Sequence, residues 1–385
     1  MEKIKIFFYT NHIDRSSGGS TYSILTTMKK LEEKGYKVGI IVNKRRKEEL
    51  EVDYPIISID ANLGDINRHI KLREILNKEN PDIVFSNMLT QNITLSLAKG
   101  FRKKKVKAKC IGIVRGASNY IQNKSWWKFP YRIWMKKVFE NLDCVIAISE
   151  YVKKDLIRAF FLREEKIKVI YNPFDLKIIK QKAEEPLPEN YRDIFEKYKI
   201  LINVGRLSPQ KRQDLLIETF DILRKKYPDF KLVLIGGSGV EKDDKYEKFL
   251  RKLVKDKDLE KDVLFLGHQM NPYKFIKHSH LFVLTSEYEG LARVIIESLA
   301  VKTPVVAFNS EYANHTEIFG KNSENLVPFP DIKKLAEKIE EILNNPQKYE
   351  KLKKEAPKIA ERFSAEKSAD EYDKFIKNIL YKNKC

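Results

Sequence analysis

An arginine and a lysine five residues apart, in Asn203-Val204-Gly205-Arg206-Leu207-Ser208-Pro209-Gln210-Lys211, have the makings of an anion-binding turn. Arg206 follows an apolar run that reads as a strand. Ser208 is placed to cap the next helix, Pro209 fits its first position and Lys211 its first turn. The helix dipole disfavours a cation there, so a lysine at that place implies an anion sharing the site. Further along, Glu289 and Glu297 bracket an apolar stripe of Leu291, Val294, Ile295 and Leu299. That pattern predicts a helix from about Gly290, with the second carboxylate two turns, about 12 Å, beyond the first. Two carboxylates so spaced suit the hydroxyls of a sugar and of a ribose diol, with an intervening diphosphate facing Arg206 and Lys211. A third segment, Ser16-Ser17-Gly18-Gly19-Ser20-Thr21, pairs two glycines so that backbone N–H groups can approach a phosphate with no Cβ in the way.

These residues need elements to hold them. Strand candidates are Ile4–Tyr9, Val38–Val42, Ile56–Ile59, Ile83–Ser86, Cys110–Val114 and Cys144–Ile148, then Ile200–Val204, Leu232–Ile235, Val263–Leu266, Leu281–Leu284 and Val305–Ala307. Amphipathic helical patterns separate them, which predicts parallel sheets with helices on both faces. The Pro- and Glu-rich stretch Gln181–Asn190 is expected as a linker, and the chain reads as helical after Pro330. The expectation is an α/β chain of two doubly wound, Rossmann-like domains with a cleft between them. The first spans residues 1–180 and the second 181–364, with a helix over 365–385 returning to the first. A chain of 385 residues, 42% hydrophobic and 33% charged, fits two globular domains and excludes a disordered or collagen-like class.

The order Gly18-Gly19, then Gly205-Arg206-Leu207 with Lys211, then Glu289-x7-Glu297 resembles glycosyltransferase family 4, retaining enzymes of the GT-B fold. Ile148-Ser149-Glu150, Ile170-Tyr171-Asn172-Pro173 and Thr303-Pro304-Val305-Val306-Ala307 add to the likeness, which covers nearly the whole chain. The resemblance implies that Arg206 and Lys211 bind the diphosphate of a nucleotide sugar, UDP-linked, and that Glu297 binds its ribose. Glu289, with the backbone of Gly290 and Leu291, would contact the sugar, so Arg206, Lys211 and Glu289 are the expected catalytic group. Gly18 and Gly19 would approach the phosphate, and His268, Gln269 and Met270 would seat the base. The chain departs from the family at Ala292, Ser298 and the segment Val114-Arg115-Gly116, where Arg115 stands in the region of a usual histidine. The implied reaction moves a hexose or N-acetylhexosamine, with retention, to a glycan.

No metal or other cofactor is expected. Asp256-Lys257-Asp258 falls in a charged run and reads as solvated surface, and the six histidines have no metal-ligand spacing. The charge of +20 is uneven: residues 1–180 hold 36 basic and 20 acidic residues, the remainder 38 and 34. Lys103, Lys104 and Lys105 precede the aromatic stretch with Trp126, Trp127 and Trp134, a combination suited to an anionic membrane surface. In the bland reading Tyr131, Trp134, Met135 and Val138 are one buried helix stripe after Pro130. A lipid-linked sugar is therefore the favoured acceptor, with Asn87, Gln91, Arg115 and Asn119 as its expected contacts on loops after strands. No 18-residue apolar run exists, Cys110, Cys144 and Cys385 are read as unpaired, and the chain opens on a strand rather than an export signal. A cytoplasmic protein peripheral to the membrane is expected, with no nucleic-acid partner. The alternatives are a nucleotide-sugar epimerase on the same fold and a basic nucleic-acid-binding protein.

Overall fold

The structure is a computed structural model that describes residues 3–13, 18–45, 50–62, 64–101, 103–116, 129–237, 244–313, 315–320, 323–382 and 384–385. Trp126, Trp127 and Asn119 lie outside them. The chain forms two units, Met1–Phe174 with Ala365–Cys385, and Asp175–Ser364.

In the amino-terminal unit the elements are β1 (Lys5–Thr10), α1 (Gly18–Glu33), β2 (Lys37–Val42), β3 (Ile56–Ser58), α2 (Arg68–Glu79), β4 (Ile83–Asn87), α3 (Leu89–Lys99), β5 (Lys109–Val114), α4 (Phe129–Asn141), β6 (Cys144–Ala147), α5 (Glu150–Phe160) and β7 (Ile167–Val169). The carboxy-terminal unit has α6 (Leu176–Ala183), α7 (Glu189–Lys197), β8 (Lys199–Val204), α8 (Gln213–Arg224), β9 (Phe230–Ile235), α9 (Lys245–Asp256), β10 (Val263–Phe265), α10 (Tyr273–Lys277), β11 (Leu281–Leu284), α11 (Arg293–Ala300), β12 (Val305–Asn309), α12 (Thr316–Phe319), β13 (Leu326–Pro328), α13 (Ile332–Leu343) and α14 (Pro346–Glu361). The last helix, α15 (Ala365–Tyr381), belongs to the first unit.

Both sheets are parallel, with orders β3-β2-β1-β4-β5-β6-β7 and β10-β9-β8-β11-β12-β13. Their inner strands read as continuous Val, Ile, Leu and Phe because helices cover both faces: every residue of β4 and of β9 is buried. In the second unit Phe220, Phe230, Leu232, Leu281, Val306 and Ile339 meet in one core. In the first, Phe8 stacks on Phe85 at 5.1 Å, and α15 closes the other side with Tyr372 edge-on to Phe85 at 5.6 Å.

Several expectations change. The stretch Gln181–Asn190 is not a free linker but runs from α6 into α7, because Ala183 and Leu187 are buried and Glu184 pairs with Lys277. The unit boundary falls at Phe174 and Asp175 instead. The three-residue strands β7 and β13 carry too little pattern to be read in advance. On α4, Met135, Val138 and Phe139 face the core, whereas Trp134 is 41% exposed. The cysteines are not all free. Cys144 and Cys385, 241 residues apart, form a disulfide because α15 returns the terminus to β6, with Cα atoms 5.3 Å apart. Cys110 is left as a buried thiol that burial, with Asp143 nearby, pushes up to about 12.

Candidate active site

The order of the carboxy-terminal sheet reverses between β8 and β11, so the loops leaving their carboxyl ends part and open a crevice. Gly205-Arg206 leaves β8 there, and Thr285–Glu289 leaves β11. Hydrogen bonds stitch the two loops together. The Glu287 N–H donates to the Gln210 carbonyl at 2.9 Å, the Gln210 amide to the Tyr288 carbonyl at 2.8 Å, and the Thr285 hydroxyl to the Lys211 carbonyl at 2.9 Å. The Glu289 N–H donates to Tyr312, which brings in a third loop after β12.

This stitching puts the Lys211 ammonium 2.5 Å from the Glu289 carboxylate, both side chains largely buried. Burial alone would raise the Glu289 carboxyl. Lys211, with His315 and Ser286 beside it, outweighs burial and holds the group below its ordinary value. Arg206 is exposed on the same loop and touches Gln210 at 3.3 Å. Glu297 is buried on α11 and pairs with Arg293 at 3.3 Å.

The local geometry corrects the sequence reading in two places. Lys211 is not in the first turn of α8. It ends a single 3-10 turn, Pro209–Lys211, and Arg212 adopts a left-handed conformation before α8 begins; Ser208 makes no side-chain cap. Glu289 does not head α11, which starts four residues later at Arg293. The loop Glu289–Ala292 lets the carboxylate fold back on Lys211, which a helical start would prevent.

At the next turn, Gly236 has φ +140°, and a Cβ there would lie 1.8 Å from the Gly205 carbonyl oxygen, so only glycine lets the two loops touch. Its N–H donates to the Gly267 carbonyl, which places His268, Gln269 and Met270 on the adjoining loop after β10. Gln269 donates back to the Leu266 carbonyl, while Met270 is exposed.

His315 is a site residue that the sequence reading missed. It is buried beside Glu289 and Lys211 and its Nε2 has no partner. Burial lowers its pKa to about 4, the attraction of Glu289 opposing and the repulsion of Lys211 adding to the shift. The Ser208 hydroxyl and the Gln213 carbonyl oxygen nearby are also buried and unpartnered. Such atoms cost about 1–3 kcal/mol each unless something satisfies them, and binding sites concentrate them.

In the amino-terminal unit the order reverses between β1 and β4. Gly18 and Gly19 open α1 after β1, with no acidic residue in its first turn. Asn87 ends β4, Gln91 lies in the first turn of α3, and the Arg115 guanidinium donates to the Asn87 side-chain carbonyl at 2.6 Å. Lys103, Lys104 and Lys105 are exposed on the loop before β5.

Residues 17–178 match the family described as Glycosyltransferase Family 4, and residues 189–359 match Glycosyl transferases group 1. The chain belongs to glycosyltransferase family 4. Among relatives of this glycosyltransferase, an uncharacterized glycosyltransferase of Methanocaldococcus jannaschii is 30% identical over 245 residues, covering 63% of this chain and 59% of that protein. The N-acetylgalactosamine-N,N'-diacetylbacillosaminyl-diphospho-undecaprenol 4-alpha-N-acetylgalactosaminyltransferase of Campylobacter jejuni is 35% identical over 190 residues, 49% of this chain and 47% of that one. The match thus spans about half the length of these relatives. The fold is that of the GT-B glycosyltransferases: Anabaena HepE, solved with UDP and glucose, superposes with a TM-score of 0.79 at 19% identity, covering 97% of this chain and all of that one. No helix among the described residues is long and apolar enough to cross a membrane.

Proposed function

We propose that this glycosyltransferase moves a hexose or N-acetylhexosamine from a UDP-sugar to a lipid-linked glycan, with retention and without a metal, at an anionic membrane surface. The observation that carries the reading is the Lys211–Glu289 pair at the reversal of the sheet, with Arg206 exposed beside it. An arriving diphosphate competes with Glu289 for the Lys211 ammonium and recruits Arg206. Glu289, already ionised, is then free to accept hydrogen bonds from the sugar's hydroxyls. As the bond from the anomeric carbon to the phosphate oxygen breaks, charge grows on the diphosphate, where Arg206 and Lys211 stabilise it; such electrostatic effects usually form the largest part of catalysis. The acceptor oxygen bonds to the anomeric carbon on the same face and passes its proton to the departing phosphate oxygen. That route needs no separate base and no metal.

The membrane part rests on the basic amino-terminal unit, where Phe129, Trp134 and Phe161 are exposed and the Arg132 guanidinium lies 4.4 Å over the Phe161 ring. The Campylobacter jejuni relative is named for a diphospho-undecaprenol acceptor, which supports a lipid-linked substrate here. Lys211→Ala and Arg206→Ala are each expected to lower transfer by about 10²–10³. Turnover near that of the parent in either variant overturns the role. Flotation with phosphatidylglycerol vesicles should recover the parent protein and lose the Phe129→Ser, Trp134→Ser, Phe161→Ser variant. Equal recovery of the two overturns the membrane contact.

A further inference from the structure

The head of α3 in the amino-terminal unit has a composition that the chain's own contacts do not use. Arg115 has only donors, so the Asn87 side chain must turn its carbonyl oxygen toward the guanidinium. A second carbonyl, that of Asn172, takes another guanidinium N–H. This fixes the direction of the Asn87 amide. Its NH₂ group is turned away from Arg115, is buried, and has no partner among the described residues. One turn on, the Gln91 carbonyl accepts from the Thr90 hydroxyl at 2.9 Å, and the Gln91 NH₂ group is likewise buried and unpartnered. Both residues are 1% exposed.

Between them, Met88 is forced to φ +80° at the start of α3, which has no side-chain cap and no acidic residue in its first turn. The first N–H groups of a helix have no internal acceptor and carry the positive end of its dipole. Two unpartnered amide donors, an uncapped helix start and a guanidinium held by neutral carbonyls thus meet where the strand order reverses. Every one of these groups lacks an acceptor of negative charge. A sugar hydroxyl, which must also donate, suits such a place poorly; an oxyanion, which only accepts, suits it well.

We propose that Asn87, Gln91, Arg115 and the first turn of α3 form a phosphate-oxyanion site in the amino-terminal unit. The oxyanion is a phosphate of the donor or a phosphate of a lipid-linked acceptor. That choice rests on the transferase reading; the existence of the site does not.

Gln91→Glu separates this site from mere structure. A glutamate in a first helical turn is favourable to the helix itself, so the fold has no reason to lose stability, whereas an isosteric negative charge expels an oxyanion. Asn87→Asp, which keeps a partner in Arg115, is the second variant should the first not fold. Both are built in a Lys211→Ala, Arg206→Ala background, so that diphosphate binding in the other unit does not mask the effect. Inorganic pyrophosphate should raise the melting temperature of the background protein, and the added carboxylate should abolish that rise. Calorimetry on the same proteins, with UDP in one arm and farnesyl diphosphate against farnesol in the other, names the source. Weakening of about tenfold or more for UDP assigns the site to the donor, and the same loss for farnesyl diphosphate but not farnesol assigns it to the acceptor. No protection by pyrophosphate, or equal protection of background and variants, overturns the proposal. Neither result bears on whether Lys211 supports transfer, which is read separately as turnover.

Discussion

At the scale of single residues, the carboxy-terminal site is governed by the buried neighbours Lys211, Glu289 and His315. The His315 imidazole sits at about 4 against an ordinary 6.5, because burial disfavours its charged form. Between those two values the unfolded chain binds a proton that the folded chain refuses. Stability therefore falls as pH drops from about 6.5 to about 4, by roughly 1.4 kcal/mol per pH unit and about 3 kcal/mol in all. Glu289, held below its ordinary value, acts in the same direction at the acid end. Melting curves across that window should show an acid-sensitive transition in the parent protein and a flatter profile in His315→Gln. An unchanged slope would mean that some other group titrates. Arg206, Lys211 and Glu289 stood out in the sequence because charged residues beside strand ends ask for an explanation. His315 did not, since the segment around it has no helical or alternating pattern, and only the bond from Glu289 to Tyr312 draws its loop to the pair.

At the scale of elements, loops rather than helices set the site. A helix beginning at Gly290 and a lysine within α8 were reasonable from periodicity, since apolar spacing marks where a helix packs and not where it starts. The starts are decided by contacts between loops from β8, β11 and β12, which no local window contains. The closest of these contacts, Gly236 against Gly205, has a measurable consequence. A methyl group at Gly236 meets a carbonyl oxygen at 1.8 Å on a backbone that side chains rarely adopt. Gly236→Ala should destabilise the carboxy-terminal unit by about 2–4 kcal/mol and weaken UDP binding through displacement of Arg206. Urea unfolding and calorimetry measure the two effects, and a variant as stable as its parent would show that the turn relaxes at little cost. The inner strands were legible because a strand buried on both faces is apolar throughout; β7 and β13, three residues each, offer no such run.

At the scale of the whole molecule, the last helix is part of the first unit. Tyr372, Phe375, Ile376 and Ile379 are buried on α15, Lys34 pairs with Asp370 at 2.7 Å, and the Tyr36 hydroxyl donates to Asp373 at 2.7 Å. Deleting residues 365–385 uncovers Phe85 and its neighbours while leaving the core around Phe220 and Ile339 untouched. Calorimetry of the truncated chain should show the amino-terminal unit's transition lowered or lost and the other preserved. Equal loss of both would mean that the units do not unfold separately.

The sequence by itself determined the alternation of strands and helices, the doubly wound class, the family and the identity of the strongest charged candidates. All of these follow from local composition, because burial on both faces of a sheet and the scarcity of uncompensated charge leave marks within a few residues. Tertiary structure alone decided that Lys211 neutralises Glu289, that His315 joins them uncharged, that Cys144 meets Cys385, and that Arg115 turns the Asn87 amide away from itself. Those facts depend on groups distant in the chain sharing a few ångströms of low-dielectric space, where pairing and desolvation compete at energies that no spacing rule encodes.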